Sequence, residues 1–245
     1  MNTIAIAGVG LIGGSFGLAL RKSGFEGEIL GISSPRTIEQ AIERRAIDRG
    51  TSLAEAAAVA DVLYLAQPVS VILETLDRLP ALVNPRCLVT DAGSTKSEIV
   101  RRGSKLPMFL GGHPMAGKES RGIAAAEADL FRGRTYVLTP PSGGALAQTK
   151  ANEFAKLLSL FGAVTVFLEA DEHDRIVAFT SHLPQLASTA LALAVGSEVK
   201  RSEHLAVSGS GLRDTTRLAL SPWEVWRDII ETNSDHIQHA LGVYI

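Results

Sequence analysis

The chain carries one cysteine, Cys87, so an intrachain disulfide is impossible. That thiol sits in an apolar run of strand character, which fits a reducing compartment. An excess of either charge is also missing. Twenty-four Lys and Arg face 26 Asp and Glu, for a net charge of −2 and a pI near 6.3. This balance gives no reason to expect nucleic acid or an anionic membrane as a partner. The apolar stretch 186–195 is too short to span a bilayer. The N-terminus has neither a basic n-region nor a cleavage site, so a cytoplasmic location is expected. No metal-ligand spacing is visible, and His173, in an acidic helical stretch, is expected to be solvated. Internal repeats and low-complexity tracts are lacking too.

What is present begins at the first residues. Thr3-Ile4-Ala5-Ile6-Ala7 reads as a buried strand and breaks at Gly8-Val9-Gly10-Leu11-Ile12-Gly13. Apolar residues then resume at helical spacing through Phe16, Leu18 and Ala19. This is G-x-G-x-x-G in a strand–turn–helix context, and each glycine has its own task. Gly8 permits the turn, Gly10 admits a pyrophosphate to the backbone, and Gly13 lets helix pack on strand. The helix N-terminus adds N–H groups and partial positive charge for the phosphates. Gly8, Gly10, Leu11, Ile12 and Gly13 are therefore the expected cofactor loop.

At 245 residues, 46% hydrophobic and 20% charged, the chain suits a soluble globular protein of one large or two ordinary domains. Strands are expected over 28–32, 61–66, 86–90, 108–111, 135–139 and 164–168. Helices are expected over 37–45, 54–60, 69–79, 94–102 and 148–161. Near-continuous apolar strands alternating with helices indicate an α/β fold, a parallel sheet covered on both faces. From about residue 169 strands stop, and helical runs cover 171–195, 198–207 and 222 to the end. The expectation is a doubly wound dinucleotide-binding domain over 1–168 and an all-helical domain over 169–245.

Ligands of such sheets bind beyond the strand carboxyl ends. Three segments fall there: Gln67-Pro68-Val69, Asp91-Ala92-Gly93-Ser94-Thr95-Lys96, and Gly112-His113-Pro114-Met115-Ala116-Gly117. Ser94 or Ser97 could simply cap a helix. His113, on a strand-end loop, could take a hydroxyl proton as a hydride leaves. An NAD site normally has Asp or Glu closing the second strand. Here Ser33-Ser34-Pro35-Arg36 stands there instead, so Ser33, Ser34 and Arg36 are expected to take a 2′-phosphate and the cofactor to be NADP, with NAD possible. In the helical half, His182 and Gln185 share a helix face, and Pro184 should kink that helix. Residues 208–217 read as a flexible loop whose Arg213 and Arg217 suit a small carboxylate.

Together these motifs resemble the prephenate/arogenate (cyclohexadienyl) dehydrogenase family of tyrosine biosynthesis. The carrying residues are GVGLIGGS, Asp91-Ala92-Gly93-Ser94-Thr95-Lys96, GGHPMAG over 111–117, Ser181-His182-Leu183-Pro184, and Ser210-Gly211-Leu212-Arg213-Asp214-Thr215-Thr216-Arg217. The resemblance implies a Rossmann-type domain followed by a helical dimerisation domain, and oxidative decarboxylation of prephenate or arogenate. It further implies that His113 draws off the C4 hydroxyl proton, with Ser94 bonding the same neighbourhood. Arg217 and Arg213 would hold substrate carboxylates, His182 would shape the pocket, and the protein would be a homodimer. Gln185 stands where many relatives have histidine, which leaves the substrate open. The helical part is shorter than usual, and no regulatory domain follows, so feedback through a dedicated domain is not expected. The competing readings are another two-domain hydroxyacid or imine dehydrogenase, and a non-catalytic dinucleotide-binding protein.

Overall fold

The computed structural model describes residues 1–141 and 143–245, which divide into two compact units, Met1–Asp171 and Glu172–Ile245. The first unit opens with β1 (Thr3–Ala7), α1 (Leu11–Lys22), β2 (Glu28–Ile32), α2 (Pro35–Glu43), β3 (Arg49–Gly50) and α3 (Leu53–Val59). It continues with β4 (Val62–Leu65), α4 (Val69–Arg78), β5 (Leu88–Asp91), α5 (Ser97–Gly103) and β6 (Phe109–Leu110). These strands make a sheet in the order β3-β2-β1-β4-β5-β6, with every pairing parallel. The strand order reverses at β1, the switch point where α/β sheets take ligands.

Alternation within β1 shows why the sheet is covered on both faces. Ile4 and Ile6 join a cluster with Phe16, Tyr64 and Phe154, whereas Ala5 and Ala7 join Leu63, Leu65 and Ile72. Phe16 stacks on Tyr64 with ring centroids 4.1 Å apart. A second sheet follows, built from β7 (Gly112–Pro114), β8 (Thr135–Leu138) and β9 (Val164–Phe167), in that order. β7 runs antiparallel to β8, while β9 is parallel to β8 and reached through α6 (Ala145–Leu160). The sequence pattern marks β8 and β9, whereas β3 and β7 fall in stretches expected to be connections, and the structure corrects that expectation.

The second unit is helical among the described residues. It contains α7 (Ala170–Val177, whose first two residues close the first unit), α8 (Leu183–Glu198), α9 (Ser210–Thr216), α10 (Trp223–Thr232) and α11 (Ser234–Tyr244). Ala178, Ile229, Ile237 and Ala240 form its core, with Leu183, Trp226 and Leu241 packed around them. The kink expected at Pro184 has a local counterpart in the turn just before it. α7 and α8 run on as one helix through a π turn over Ala178–His182. Proline has no N–H to donate, and a widened turn before it absorbs the loss. The resulting run, Ala170–Glu198, is long and apolar enough to cross a membrane by length and composition, which corrects the shorter stretch read from sequence. Its His182, Gln185 and Ser188 are buried and hydrogen-bonded within this unit.

Candidate active site

The glycine loop holds β1 and α1 in a turn that side chains would obstruct. Gly8 has φ +91°, and a Cβ there would lie 2.5 Å from the Ala66 carbonyl oxygen. A Cβ on Gly13 would fall 2.1 Å from the Gly8 carbonyl oxygen, so this glycine is needed for close packing. Gly10 differs, because a Cβ there would meet nothing within 4 Å. It is the N-cap of α1, with no side-chain cap and no acidic residue in the first turn. The N-terminus of α1 is thus uncapped by any side chain and has room beside Gly10, a cradle that fits a pyrophosphate.

Beside this loop lies a cleft of about 400 Å³. It brings together Gly8, Gly10, Ser33, Gln67 and Pro68 of the expected cofactor residues. Thr37 and Gln40 of α2 and Ile123 also line it. The first two are three apart on one helix face directly after β2, a spacing that could have identified them. Leu11 and Ile12 instead pack against the core, and Gly13 stays outside the lining. Ser34 is the N-cap of α2: its hydroxyl accepts from Thr37 N at 3.4 Å and lies 2.9 Å from Thr37 Oγ1. Arg36 is exposed on the first turn of α2, outside the lining.

The other two strand-end segments converge on Asp91, the last residue of β5. Its carboxylate accepts from Gly93 N at 2.7 Å and Gly112 N at 3.0 Å and pairs with the Lys96 ammonium. His113 follows Gly112 directly and is half-buried. It lies within β7, opposite Val137, and not in the loop expected from sequence. Gly-His-Pro has the composition of a loop, and only the partner strand β8 makes it a strand. The chain passes from one sheet to the other at Gly111, whose N–H donates to Thr139 Oγ1 at 3.0 Å. A Cβ on Gly112 would sit 2.5 Å from the Asp91 carbonyl oxygen, which explains the glycine before the histidine. Ser94 caps no helix, because α5 starts at Ser97 with Lys96 as N-cap. The capping role weighed for Ser94 or Ser97 is thereby corrected.

In the second unit, His182 and Gln185 are both buried. Asn233 Nδ2 donates to His182 Nδ1 at 3.2 Å and to the Asp174 carbonyl at 2.9 Å, and Trp226 meets the imidazole edge-on at 5.8 Å. Because Nδ1 accepts, the ring proton sits on Nε2. Burial pulls His182 down to about 4 against the Asp174 carboxylate, and His173 adds to the fall, so the ring is neutral near pH 7. His173 is itself buried, with Nδ1 2.8 Å from Asp174 Oδ1, which overturns the expectation of a solvated side chain. The partner that encloses this stretch, Asn233, is 59 residues from Asp174 in sequence.

Gln185 Nε2 donates to the Leu218 carbonyl at 2.8 Å, and Ser188 Oγ accepts from Ala219 N at 3.1 Å. These two side chains fix the 3₁₀ turn Arg217–Leu220, and so the backbone of Arg217. The loop expected over 208–217 is instead α9 followed by this turn. Its hydroxyls turn inward to satisfy carbonyls, as Thr216 Oγ1 does with Leu212 O at 2.7 Å. Arg213 and Arg217 are both exposed, and Arg213 lines a separate cavity of about 340 Å³ with Val199, Leu205 and Leu212.

A parallel sheet with a glycine-loop cradle, followed by a helical unit, defines a two-domain protein of the dinucleotide-binding dehydrogenase class. The chain belongs to the prephenate dehydrogenase family. The model of that family's nucleotide-binding domain matches residues 16–167, and the model of its dimerization domain matches residues 169–245. The first match begins past the glycine loop, whose assignment rests on its own geometry. The chain is 36% identical over 244 residues to a prephenate dehydrogenase of Lactococcus lactis, covering 96% of this chain and 66% of that protein. It is 34% identical over 258 residues to one of Bacillus subtilis, covering 100% and 67%. The chain thus spans about two thirds of the length of these curated relatives. Among solved structures it resembles prephenate dehydrogenase of Aquifex aeolicus in complex with hydroxyphenyl propionate and NAD⁺. There the TM-score is 0.90 at 30% identity, with 100% of this chain and 87% of that one covered. Synechocystis arogenate dehydrogenase matches with a TM-score of 0.83 at 32% identity, covering 99% and 87%.

Proposed function

We propose that the protein catalyses the oxidative decarboxylation of prephenate or arogenate, yielding 4-hydroxyphenylpyruvate or tyrosine in tyrosine biosynthesis. The observation that carries this reading is the placement of His113 and Ser94 directly after the two glycines held by the Asp91 carboxylate. A nicotinamide dinucleotide held at the glycine loop would supply the acceptor for the hydride that leaves ring C4. His113 accepts the proton of the C4 hydroxyl, and Ser94 hydrogen-bonds the same hydroxyl and orients it. The C4–O bond becomes a carbonyl, and the C1–carboxylate bond then breaks with its electron pair entering the ring. CO₂ leaves, and the aromatic phenolate oxygen takes a proton back from His113. Arg217, with Arg213, holds the substrate carboxylates by charge-assisted hydrogen bonds. His182, being neutral, acts as a hydrogen-bonding wall and not as a charge.

NADP is the cofactor we assign. No carboxylate follows β2 to repel a 2′-phosphate, the hydroxyls of Ser33 and Thr37 line the cleft, and Arg36 lies on the adjoining helical turn. A homodimer through the helical unit accounts for its exposed apolar residues, Leu193 at 70%, Val207 at 91% and Leu220 at 87%. A cytoplasmic location goes with this reading.

The test is reduced-nicotinamide absorbance on mixing the protein with prephenate or arogenate and either cofactor. Turnover is expected, and His113→Asn should lower kcat by about 10²–10⁴-fold with cofactor affinity little changed. Absence of turnover with both substrates and both cofactors overturns the function. Near-normal kcat in His113→Asn overturns the role of the histidine.

A further inference from the structure

A carboxylate and an ammonium are buried together at the end of β5. The side chains of Asp91 and Lys96 are both 0% exposed. Burying such a pair costs desolvation that the mutual attraction does little more than offset. The geometry shows what the carboxylate does instead. Oδ2 accepts from Gly93 N and from the Lys96 ammonium, and Oδ1 accepts from Gly112 N. Gly93 immediately precedes Ser94, and Gly112 immediately precedes His113. One side chain thus holds the residue before each of the two groups assigned to the reacting hydroxyl.

The anchor is rigid. Asp91 is the last residue of β5 and pairs with Leu65 of β4. The backbone comes close at both glycines: a Cβ on Gly93 would lie 3.0 Å from Asp91 Oδ2, and one on Gly112 would lie 2.5 Å from Asp91 O. Tyr136 also lies against Gly112, its ring 3.1 Å from where a Cβ would stand, and its hydroxyl is hydrogen-bonded to that of Tyr64 at 3.0 Å within the core. Three donors converge on Asp91, and an ionised carboxylate can accept from all of them. A neutral amide offers one acceptor oxygen and turns its own N–H groups toward the remaining donors.

We propose that Asp91 is a positioning residue of the reaction, its carboxylate setting the relative placement of Ser94 and His113, with Lys96 closing the loop 92–96 onto it. The inference rests on the roles assigned above to Ser94 and His113. Misplacing a reacting group by about 1 Å costs on the order of 10²-fold in rate. The double variant Asp91→Asn/Lys96→Met removes both charges and keeps both shapes. Its Tm should rise above that of Asp91→Asn, which leaves the Lys96 charge buried without its partner, while kcat stays about 10–100-fold low. KM and cofactor Kd should stay within about twofold. Asp91→Glu keeps the charge pair and moves the carboxylate by one methylene, and should lower kcat at least about 10-fold at a near-native Tm. The imidazole proton resonance of His113, identified by its loss in His113→Asn, should shift in Asp91→Glu while those of the other histidines stay put. A kcat that recovers with Tm in the double variant, a normal kcat in Asp91→Glu, or an unmoved His113 resonance overturns the proposal. Failure of the functional reading is a different result, wild type without turnover, and the resonance then decides the positioning role alone.

Discussion

His182 should make the helical unit sensitive to acid well above the range where carboxylates titrate. Its folded-state pKa is about 4, against an ordinary value of 6.5. Above pH 6.5 both folded and unfolded forms hold a neutral ring, and stability is at its full value. As pH falls from 6.5 toward 4, the unfolded chain takes up a proton that the folded one refuses. Stability is lost across that window and no further below it. Integrating the difference gives about 2 kcal/mol lost between pH 7.5 and pH 5. Both tryptophans, Trp223 and Trp226, lie in α10, so tryptophan emission reports unfolding of this unit and not of the first. With a urea m-value of about 1–2 kcal/mol/M, the midpoint should fall by about 1–2 M over that pH range. The measurement is made at one protein concentration, since association would shift the midpoint. His182→Gln keeps an acceptor for Asn233 Nδ2 and removes the titration, so its midpoint should vary much less with pH. Equal pH dependence in the variant and wild type would refute the argument, as would a flat wild-type profile.

Two further outcomes test the site. Arg217→Ala should raise KM for substrate about 10–100-fold at unchanged cofactor Kd, the loss of one charge-assisted contact. A fall in Tm alone would make the arginine structural. For the cofactor, kcat/KM should favour NADP in wild type, fall for NADP in Arg36→Ala, and swing toward NAD in Ser33→Asp. A wild type that prefers NAD, or Arg36→Ala with unaltered NADP use, removes that assignment.

The parts of the fold that were legible are those whose burial is set locally. Thr3–Ala7 and Glu28–Ile32 are continuous apolar segments bounded by glycines and polar residues, and both strands fall where the sequence puts them. β3 and β7, of two and three residues, have no periodicity to detect. β7 exists because β8, some 20 residues on, offers it hydrogen-bond partners. The same limit hid the surroundings of His173 and Gln185. A histidine among Asp171, Glu172 and Asp174 reads as solvated until Asn233 is brought against Asp174. Gln185 reads as a ligand-facing amide until Leu218, 33 residues away, takes its donor. The glycine loop was legible because steric demands act over a few residues, and Thr37 and Gln40 were legible in principle from their spacing on the helix after β2.

Buried polarity gives a way to find such sites that does not depend on motif resemblance. Most ion pairs in the described structure are exposed, among them Lys22–Asp129 and Arg49–Glu55, and pairs of that kind contribute about 0–1 kcal/mol. The fully buried Asp91–Lys96 pair lies in the segment that carries Ser94 and holds the glycine before His113. In the helical unit, His173, Asp174, His182, Gln185, Ser188, Asp228 and Asn233 are all buried, and His182 and Gln185 fall within or beside Ser181-His182-Leu183-Pro184. Apolar residues of similar volume would hold these elements together at lower desolvation cost. What they would lose is direction, because a hydrogen bond fixes an atom's placement and an apolar contact tolerates sliding. Apolar repacking at either cluster should therefore lower turnover, and it should also cost stability wherever it leaves a backbone group such as Gly112 N or the Leu218 carbonyl without its partner.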